Sequence, residues 1–376
     1  MTGRDARALL ATLHAAAVDG ARADAAVAAA LATLPLPPPP GTIHLLALGK
    51  GAHAMAAAAV GALAARGATP AGGLVVAHHH APAPHPALAT AVGDHPIPGE
   101  RSRRAADQLG EAAARVGGGD LAVVLLSGGA SALVGDVTAE ARARLGDDAL
   151  AAVTRRLTAH GAPIDRLNAE RWRIARWGAG RLAAALAPAR VRCLAISDVP
   201  GDDPAVIGSG PCVADPPAEG LGEEPGDVRT TVLRANRDAR AGAARAARAL
   251  GLAVVEHAGL LAGEARTLGA ALAATLLDTP PRTVHVWGGE PTVALADAAP
   301  DALGGRMQEL AIAAAGALHE RGDRAWGAAL LAAGTDGRDG PTDAAGAIVD
   351  ARTWAAIGRA GRDPAADLAA HRSHQA

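Results

Sequence analysis

The sequence predicts an α/β protein in which helices cover both faces of a mostly parallel sheet. Short apolar runs alternate with alanine-rich stretches of helical spacing along most of the chain, and glycine turns join them. Parallel strands require helical crossovers and are buried on both sides, which gives this alternation. Ligands bind such sheets where strands end and turns lead into helices. Functional residues are therefore expected in these turns.

The predicted elements follow in chain order. Residues 4–33 have the pattern of one helix, which the proline run at 35–40 ends. The apolar runs are expected strands: 43–48, 74–77, 121–126, 191–196, 252–255, 284–287 and 328–333. The stretches with helical spacing are expected helices: 51–65, 102–115, 138–159, 226–250, 260–277 and 306–320.

The length of 376 residues favours about two domains. The loop 213–227 is rich in glycine and proline and could separate them, and the region 240–260 is the alternative. We place the boundary at residue 240, which gives domains 1–240 and 241–376.

The composition argues against several classes of partner and compartment. A formal net charge of −2 draws the protein neither to nucleic acid nor to an anionic membrane. No run of about 20 apolar residues predicts a membrane span. Only two cysteines are present, Cys193 and Cys212, and the start of the chain lacks the apolar core of a signal peptide. A cytoplasmic protein is therefore expected.

Lys50 is the single lysine among 36 lysine and arginine residues. Where composition replaces lysine by arginine so completely, a retained lysine indicates a site that needs a compact ammonium group. The alternative is chance survival on the surface. The position favours function, because Gly49-Lys50-Gly51 lies where a predicted strand ends and a helix begins, and helix N-termini attract anions.

A second glycine turn, Ser127-Gly128-Gly129-Ala130-Ser131, follows the apolar run 121–126. Its glycines allow close approach of the backbone, and Ser127 and Ser131 supply hydroxyls for phosphate or carboxylate oxygens. A tight turn without a ligand is the alternative.

Carboxylates cluster after the run 191–196, at Asp198, Asp202 and Asp203. Three carboxylates so close together repel one another unless a cation or a basic side chain lies among them. The alternative for Asp202 and Asp203 is a role in turns and helix caps. For Asp198 we favour function.

Charged residues also follow the last two predicted strands. Glu290 comes after the run 284–287, and Arg306 begins a long helix, where the helix dipole disfavours a cation unless it faces an anion. Carboxylates at spacings of three and four residues suit a Mg²⁺ ion that retains several waters. These are Asp336, Asp339 and Asp343.

Taken together, these motifs resemble the glycerate 2-kinase family of the MOFRL type. The matching strings begin with GKGAHAM at 49–55, HPIPGE at 95–100, SGGASAL at 127–133 and LNAERWRIARWGAGRLA at 167–183. They continue with SDVPGDDPAVIGSGP at 197–211, GGEPTV at 288–293, GGRMQELA at 304–311 and TDGRDGPTDAAGA at 335–347. Their order holds from about residue 5 to residue 375.

The resemblance implies a large Rossmann-like domain with a doubly wound parallel sheet, a smaller α/β domain, and an active site in the cleft. It also implies ATP-dependent phosphorylation of D-glycerate at its 2-hydroxyl with Mg²⁺. Lys50 and Arg306 match the proposed catalytic charges of the family. His95, Asn168 and Arg171 lie in matching strings and are expected to bind substrate or phosphate.

The sequence departs from the family pattern in two places. Gly178 stands where family members usually carry a second lysine, and Arg173 stands where they usually carry a histidine. The family's usual glycine-rich C-terminal segment has no counterpart after His371–His374. Either departure could change the substrate or abolish phosphoryl transfer.

The leading interpretation is an ATP- and Mg²⁺-dependent phosphotransferase that acts on a small hydroxy acid. Lys50 and Arg306 are the expected catalytic cations, and Asp198 is the expected base. Gly49, Gly51, His95, Gly128, Gly129, Glu290 and the two serines are expected to bind substrate or phosphate. The metal is assigned to Asp202, Asp336, Asp339 and Asp343. A homodimer is a further expectation.

Two alternatives stay open. One is a diverged member in a specialised biosynthetic pathway, acting on another hydroxy acid or a phosphorylated intermediate. The other is a non-catalytic binding protein that retains the pocket.

Overall fold

The computed structural model describes residues 3–159, 170–213, 226–295, 299 and 301–376. The strands are β1 (Ile43–Leu48), β2 (Gly72–Ala77), β3 (Leu88–Val92), β4 (Leu121–Leu126), β5 (Arg190–Ile196), β6 (Val228–Arg234), β7 (Ala253–Leu261), β8 (Thr283–Gly289), β9 (Ala329–Ala333) and β10 (Gly346–Asp350). The helices through the first half are α1 (Gly3–Gly20), α2 (Ala23–Thr33), α3 (Ala52–Ala64), α4 (Glu100–Ala113), α5 (Ala130–Leu133), α6 (Ala139–Leu145), α7 (Ala149–Ala159) and α8 (Arg181–Leu186). They continue with α9 (Asn236–Ala249), α10 (Ala265–Leu277), α11 (Arg306–Glu320), α12 (Thr353–Arg359) and α13 (Pro364–Ala369).

The chain folds into two compact units. One comprises residues 22–235, and the other combines residues 1–21 with residues 236–376. The division therefore lies at residue 235 rather than 240, and α1 belongs to the later unit. The reason is a close contact between helices, since Gly20 of α1 lies against Gly242 of α9, where a side chain on either glycine would overlap backbone. No local pattern in the sequence indicates this long-range contact.

The unit formed by residues 22–235 is built on a six-stranded parallel sheet with the order β3-β2-β1-β4-β5-β6. Side chains alternate between its two faces. Leu46 and Leu48 of β1 lie in a core that includes residues of α4, α5 and α8. Leu45 and Ala47 lie in a second core with residues of α2 and α3. The expected α/β class and doubly wound parallel sheet are confirmed.

The sequence analysis predicted neither of the two edge strands of this sheet, β3 and β6. Val228–Arg234 alternates polar and apolar residues and is half-exposed, so it forms β6 where a helix over 226–250 was expected. β3 is short and carries a threonine at its centre. The single helix predicted over residues 4–33 is two helices in the structure. The first ends at Gly20, and the second begins at Ala23.

The unit containing residues 236–376 carries a parallel pair, β7-β8, and an antiparallel pair, β9-β10. Its core lies mainly between α10 and α11, with Leu272, Leu310 and Leu318 buried. The two helices approach closely at Gly269, where any side chain would overlap the carbonyl oxygen of Leu310.

Three aromatic rings stack across β7 and β8. His257 and His285 have ring centroids 5.2 Å apart, and Trp287 stacks on both. His285 Nδ1 lies 2.9 Å from His257 Nε2, and its Nε2 lies 2.9 Å from Thr279 Oγ1. Burial, together with the neighbouring His257, lowers the pKa of His285 below its ordinary value of 6.5.

Cys193 and Cys212 are buried and form no disulfide. None of the helices among the described residues is long and apolar enough to cross a membrane.

Candidate active site

The turns after β1 and β4 lie side by side, because these strands are neighbours in the sheet. The amide of Ser127 donates to the carbonyl oxygen of Leu48 at 3.0 Å, and the amide of Lys50 donates to that of Gly128 at 2.9 Å. The amide of Gly51 donates to Ser127 Oγ at 3.0 Å. These hydrogen bonds fix the two predicted glycine turns as one surface at the carboxyl edge of the sheet.

The glycines of this surface allow functional side chains to come close. A side chain on Gly49, whose φ is +127°, would overlap Ser127, and one on Gly128 would overlap the carboxylate of Asp198. A Cβ on Gly129 would lie 3.0 Å from the ring of His95 and 3.4 Å from Cγ of Lys50. Three residues from three separate motifs therefore meet around one turn: Lys50, His95 and Asp198.

Lys50 is exposed at this surface and precedes the first turn of α3. The helix dipole places partial positive charge at that end of the helix, and the ammonium group adds a full charge. The arrangement suits an anion with several oxygens, such as a phosphate.

Beyond Asp198, the loop after β5 contains two of the predicted carboxylates. Asp203 accepts a hydrogen bond from the amide of Ala205 at 2.9 Å, which is the turn role named as its alternative. Asp202 is partly exposed and has a left-handed backbone, with φ +54°. Aspartate is among the few non-glycine residues that adopt this region readily.

A cleft opens beside these turns, at the ends of β1 and β4. It is lined by Ser131 and Arg171, both predicted to bind substrate, and by Ser209, which sequence reasoning missed. Ser209 lies in the Gly208-Ser209-Gly210 segment of a matching string, so a signal was present. Burial lowers the pKa of Arg171. Asn168 lies outside the described residues.

In the other unit, Arg306 and Glu290 form an ion pair with Nη1 and Oε1 2.7 Å apart. Both side chains are about half exposed. Arg306 begins α11, where the helix dipole disfavours a cation, and the carboxylate of Glu290 offsets that cost. The anion expected near Arg306 is therefore supplied within the protein.

Asp339 caps α11. It is buried, and its two carboxylate oxygens accept hydrogen bonds from the amides of Met307 and Gln308 at 3.0 and 2.8 Å. A carboxylate used in this way is poorly placed to bind a metal as well. Its role in the structure is to satisfy the helix N-terminus, where the sequence predicted a Mg²⁺ ligand.

The remaining predicted carboxylates of this unit do not gather round Asp339. Asp336 accepts from the amide of Arg338 at 3.2 Å in the same loop. The side chain of Asp343 is 94% exposed and lies 3.4 Å from His374 Nε2. Within the described ranges, no three histidine, cysteine or carboxylate side chains are grouped to hold a metal ion.

Family models match segments that lie in both compact units. Residues 9–220 match the family model described as a domain of unknown function, DUF4147, and residues 283–376 match the MOFRL family. D-glycerate 2-kinase of Thermotoga maritima is 30% identical over 351 residues, covering 85% of this chain and 81% of the relative. The chain belongs to the glycerate 2-kinase family.

A solved structure and a second named relative also match most of this chain. A Thermotoga maritima glycerate kinase crystal structure superposes with a TM-score of 0.79 at 28% identity, covering 99% of this chain and 93% of that one. A protein of Agrobacterium vitis named "Putative hydroxypyruvate reductase" is 35% identical over 339 residues, covering 81% of this chain and 75% of the relative.

Proposed function

We propose that this protein transfers the γ-phosphoryl group of ATP to the hydroxyl group of a small hydroxy acid resembling D-glycerate. Family membership supports a phosphotransferase of this class. The observation that carries the proposal is the meeting of Lys50, His95 and Asp198 around the Gly128-Gly129 turn. Backbone groups, a cationic side chain and a potential base therefore lie close together around that turn.

Lys50 would stabilise the transferred phosphoryl group. Phosphoryl transfer leaves little covalent work to the protein, so catalysis depends on positioning and charge stabilisation. The N-terminal turn of α3 and the ammonium group favour the same anion. The glycines at 49, 51, 128 and 129 let its oxygens approach the backbone.

Asp198 would accept the proton of the attacking hydroxyl. The hydroxyl oxygen forms a bond to the γ-phosphorus, the bond from that phosphorus to the leaving ADP oxygen breaks, and the proton passes to the carboxylate. Asp198 is the second residue after β5, and its carboxylate lies against Gly128. A base must lie within hydrogen-bond reach of the hydroxyl, and Asp198 borders the surface that the two glycine turns form.

Mg²⁺ usually binds through one or two protein carboxylates together with substrate phosphates, so it does not require a complete protein cage. Asp202 fits that demand, since it is partly exposed in the loop that also carries Asp198. When bound, Mg²⁺ would neutralise charge on the nucleotide phosphates. Asp336 and Asp343 remain predicted ligands, and Asp339 is not proposed because the α11 amides occupy its oxygens.

Arg306 is the second proposed catalytic cation. In the structure its guanidinium is paired with Glu290, and both are half exposed, so the pair can open at modest cost. We propose that Glu290 holds Arg306 extended until a phosphate replaces it.

The test is release of ADP over a panel of hydroxy acids, with D-glycerate among them. Turnover that requires ATP and Mg²⁺, and that falls at least about 10²-fold in Asp198→Asn, is the expected result. No ADP release above background with any acid would refute the proposal. That result would favour the alternative of a non-catalytic binding protein.

A second candidate is reduction of hydroxypyruvate with a dinucleotide cofactor. The strand order is that of dinucleotide-binding folds, and residues 49–54 fit G-x-G-x-x-A after β1. The name of the Agrobacterium relative points the same way. Against it, β2 is followed by His78, where such folds place a carboxylate for the ribose. NADH oxidation on adding hydroxypyruvate would favour this candidate.

A further inference from the structure

The loop between β3 and α4 carries His95 and packs against α5, the short helix that follows the second glycine turn. A side chain on Gly93 would overlap the backbone of Leu133, the last residue of α5. A side chain on Gly135, just beyond that helix, would overlap Cβ of Pro98. The loop is therefore in contact with this helix on both sides of His95.

The carboxylate of Asp94, the residue before His95, attaches the loop to the start of α4. Its Oδ2 accepts hydrogen bonds from the amides of Arg101 and Ser102 at 3.0 and 3.4 Å. Its Oδ1 accepts a hydrogen bond from Arg101 Nε at 2.6 Å. Both amides belong to the first turn of α4, where backbone donors have no partner within the helix. The carboxylate therefore satisfies donors that the helix itself cannot.

Ser102 holds the backbone of the loop on both sides of His95. The serine is 0% exposed, and its Oγ accepts hydrogen bonds from the amides of Asp94 at 2.9 Å and Gly99 at 3.4 Å. The same hydroxyl donates to the carbonyl oxygen of Asp94 at 3.3 Å. One buried side chain thus joins the two ends of the loop.

Gly99 leaves room for the Asp94 carboxylate. A Cβ on this glycine would lie 2.7 Å from Oδ2 of Asp94, so the position requires space rather than an unusual backbone angle. Burial raises the pKa of Asp94, but the hydrogen bonds from Arg101 and from the α4 amides lower it further, and the result is a pKa below the ordinary value. The carboxylate is therefore charged at neutral pH.

The ring of His95 reaches the second glycine turn from this loop. A Cβ on Gly129 would lie 3.0 Å from Cδ2 of the ring, 3.1 Å from its Nε2 and 3.4 Å from Cγ of Lys50. An imidazole nitrogen in this place can donate a hydrogen bond to an anion bound at the turn. A misplacement of about 1 Å by a remote change can cost about 10²-fold in rate, so the support of the ring matters.

We propose that Asp94 is a positioning residue for the phosphotransfer site and that it acts through His95, with Ser102 in support. This assignment rests on the proposed function. The hydrogen bonds that the structure describes for the Asp94 carboxylate come from the start of α4, so its task is to hold the loop. Without the carboxylate, the α4 amides lose their acceptor, and the loop and the ring it carries move away from the turn.

A double-mutant cycle of turnover tests the assignment. Asp94→Ala should lower kcat/KM at least about tenfold, and His95→Ala should lower it by at least as much. If Asp94 acts through His95, adding Asp94→Ala to His95→Ala should cause less than about a twofold further loss. Asp94→Asn should retain part of the activity, because its amide oxygen can still accept a hydrogen bond from α4. The same loss from Asp94→Ala in both backgrounds would overturn the assignment.

Asp120 provides the matched control. Its carboxylate accepts hydrogen bonds from the amides of Thr42 and Gly117 at 2.7 and 2.8 Å, at the opposite edge of the same sheet, where β1 and β4 begin. Asp120→Ala should lower the melting temperature about as much as Asp94→Ala does but should leave kcat/KM near that of the wild type. A similar loss of kcat/KM in both variants would contradict a positioning role, because lower stability alone would then explain it.

The NMR resonance of the Gly129 amide reports the position of the His95 ring without any turnover, because the ring lies against the turn. Asp94→Ala and Ser102→Ala should each move this resonance toward its frequency in His95→Ala, and Asp120→Ala should leave it in place. An unmoved resonance in Asp94→Ala would overturn the assignment. If that variant does not fold, Asp94→Asn and Ser102→Ala decide the question in the same way.

The two measurements separate this assignment from the proposed function. Movement of the Gly129 resonance in Asp94→Ala, with no ADP release by the wild type on any hydroxy acid, would refute the kinase and retain the role of Asp94 in placing His95. ADP release by the wild type, together with an unmoved resonance and full activity in Asp94→Ala, would do the reverse.

Discussion

Replacement of Lys50 gives the most direct test of the proposed phosphate site on the two glycine turns. The backbone at this position is held by the amide hydrogen bond to Gly128, which any side chain retains, and the lysine side chain is exposed. Lys50→Arg keeps the charge but exchanges a compact ammonium for a wide planar group. We expect at least about a tenfold loss in kcat, which corresponds to about 1.4 kcal/mol. Lys50→Ala removes the charge and should cost about 10²-fold or more.

The measurement is kcat and KM from ADP release, with thermal melting in parallel. Both variants should melt near the wild type, because neither the hydrogen bond nor the packing at Gly129 depends on the ammonium group. Near-normal kcat in Lys50→Arg would show that survival of the single lysine has no functional cause. A large fall in melting temperature would show that the residue is structural.

Three further predictions follow from contacts described above. Asp339→Asn should lower the free energy of unfolding by about 1–3 kcal/mol, because it weakens the cap of α11 in a buried place, and denaturant titration measures this. Gly128→Ala should cut kcat about 10²-fold, because the added methyl group displaces the Asp198 carboxylate that it would overlap. Stability should fall as the pH drops below 6.5, because unfolded His285 binds a proton that the folded protein resists, and melting across pH 5–8 in the wild type and His285→Asn measures this.

Each of these has its control. Asp343→Asn alters an exposed carboxylate in the same loop and should leave unfolding unchanged, so equal effects in both Asp variants would contradict the capping role. Gly128→Ala should melt near the wild type, and full activity would show that Asp198 does not act from its present position. A His285→Asn variant with an undiminished pH dependence would assign that dependence to other groups.

The glycine turns could be predicted because their signals are local. An apolar run, a pair of glycines and a helical stretch lie within about a dozen residues, so both the position and the chemistry of Lys50 and Ser127 can be inferred from adjacent sequence. The two turns meet because β1 and β4 are neighbours in the parallel sheet, and no local pattern indicates that strand order. The edge strand β6 lacked this signal because its exposed side interrupts the apolar run.

The cap that Asp339 forms and the place of Ser209 beside the cleft could not be predicted in this way. The amides that Asp339 caps lie more than 30 residues earlier in the chain, and a carboxylate in a glycine-rich loop has the same local pattern whether it binds a metal or a helix. Ser209 stands out only through burial and a left-handed backbone, which depend on the whole fold. The pairing of Arg306 with Glu290 joins two predicted residues whose contact no spacing indicates.

The contact of α1 with α9 bears on how the protein is made. A ribosome synthesises residues 1–21 before their packing partners, which begin at residue 236. The parallel-sheet unit can therefore fold during translation, while α1 must wait with its apolar face uncovered until more than 200 further residues have emerged. A chaperone has its clearest opportunity to act on α1 during that interval. Deletion of α1 should destabilise the unit that contains residues 236–376 rather than the parallel-sheet unit that follows α1 in sequence.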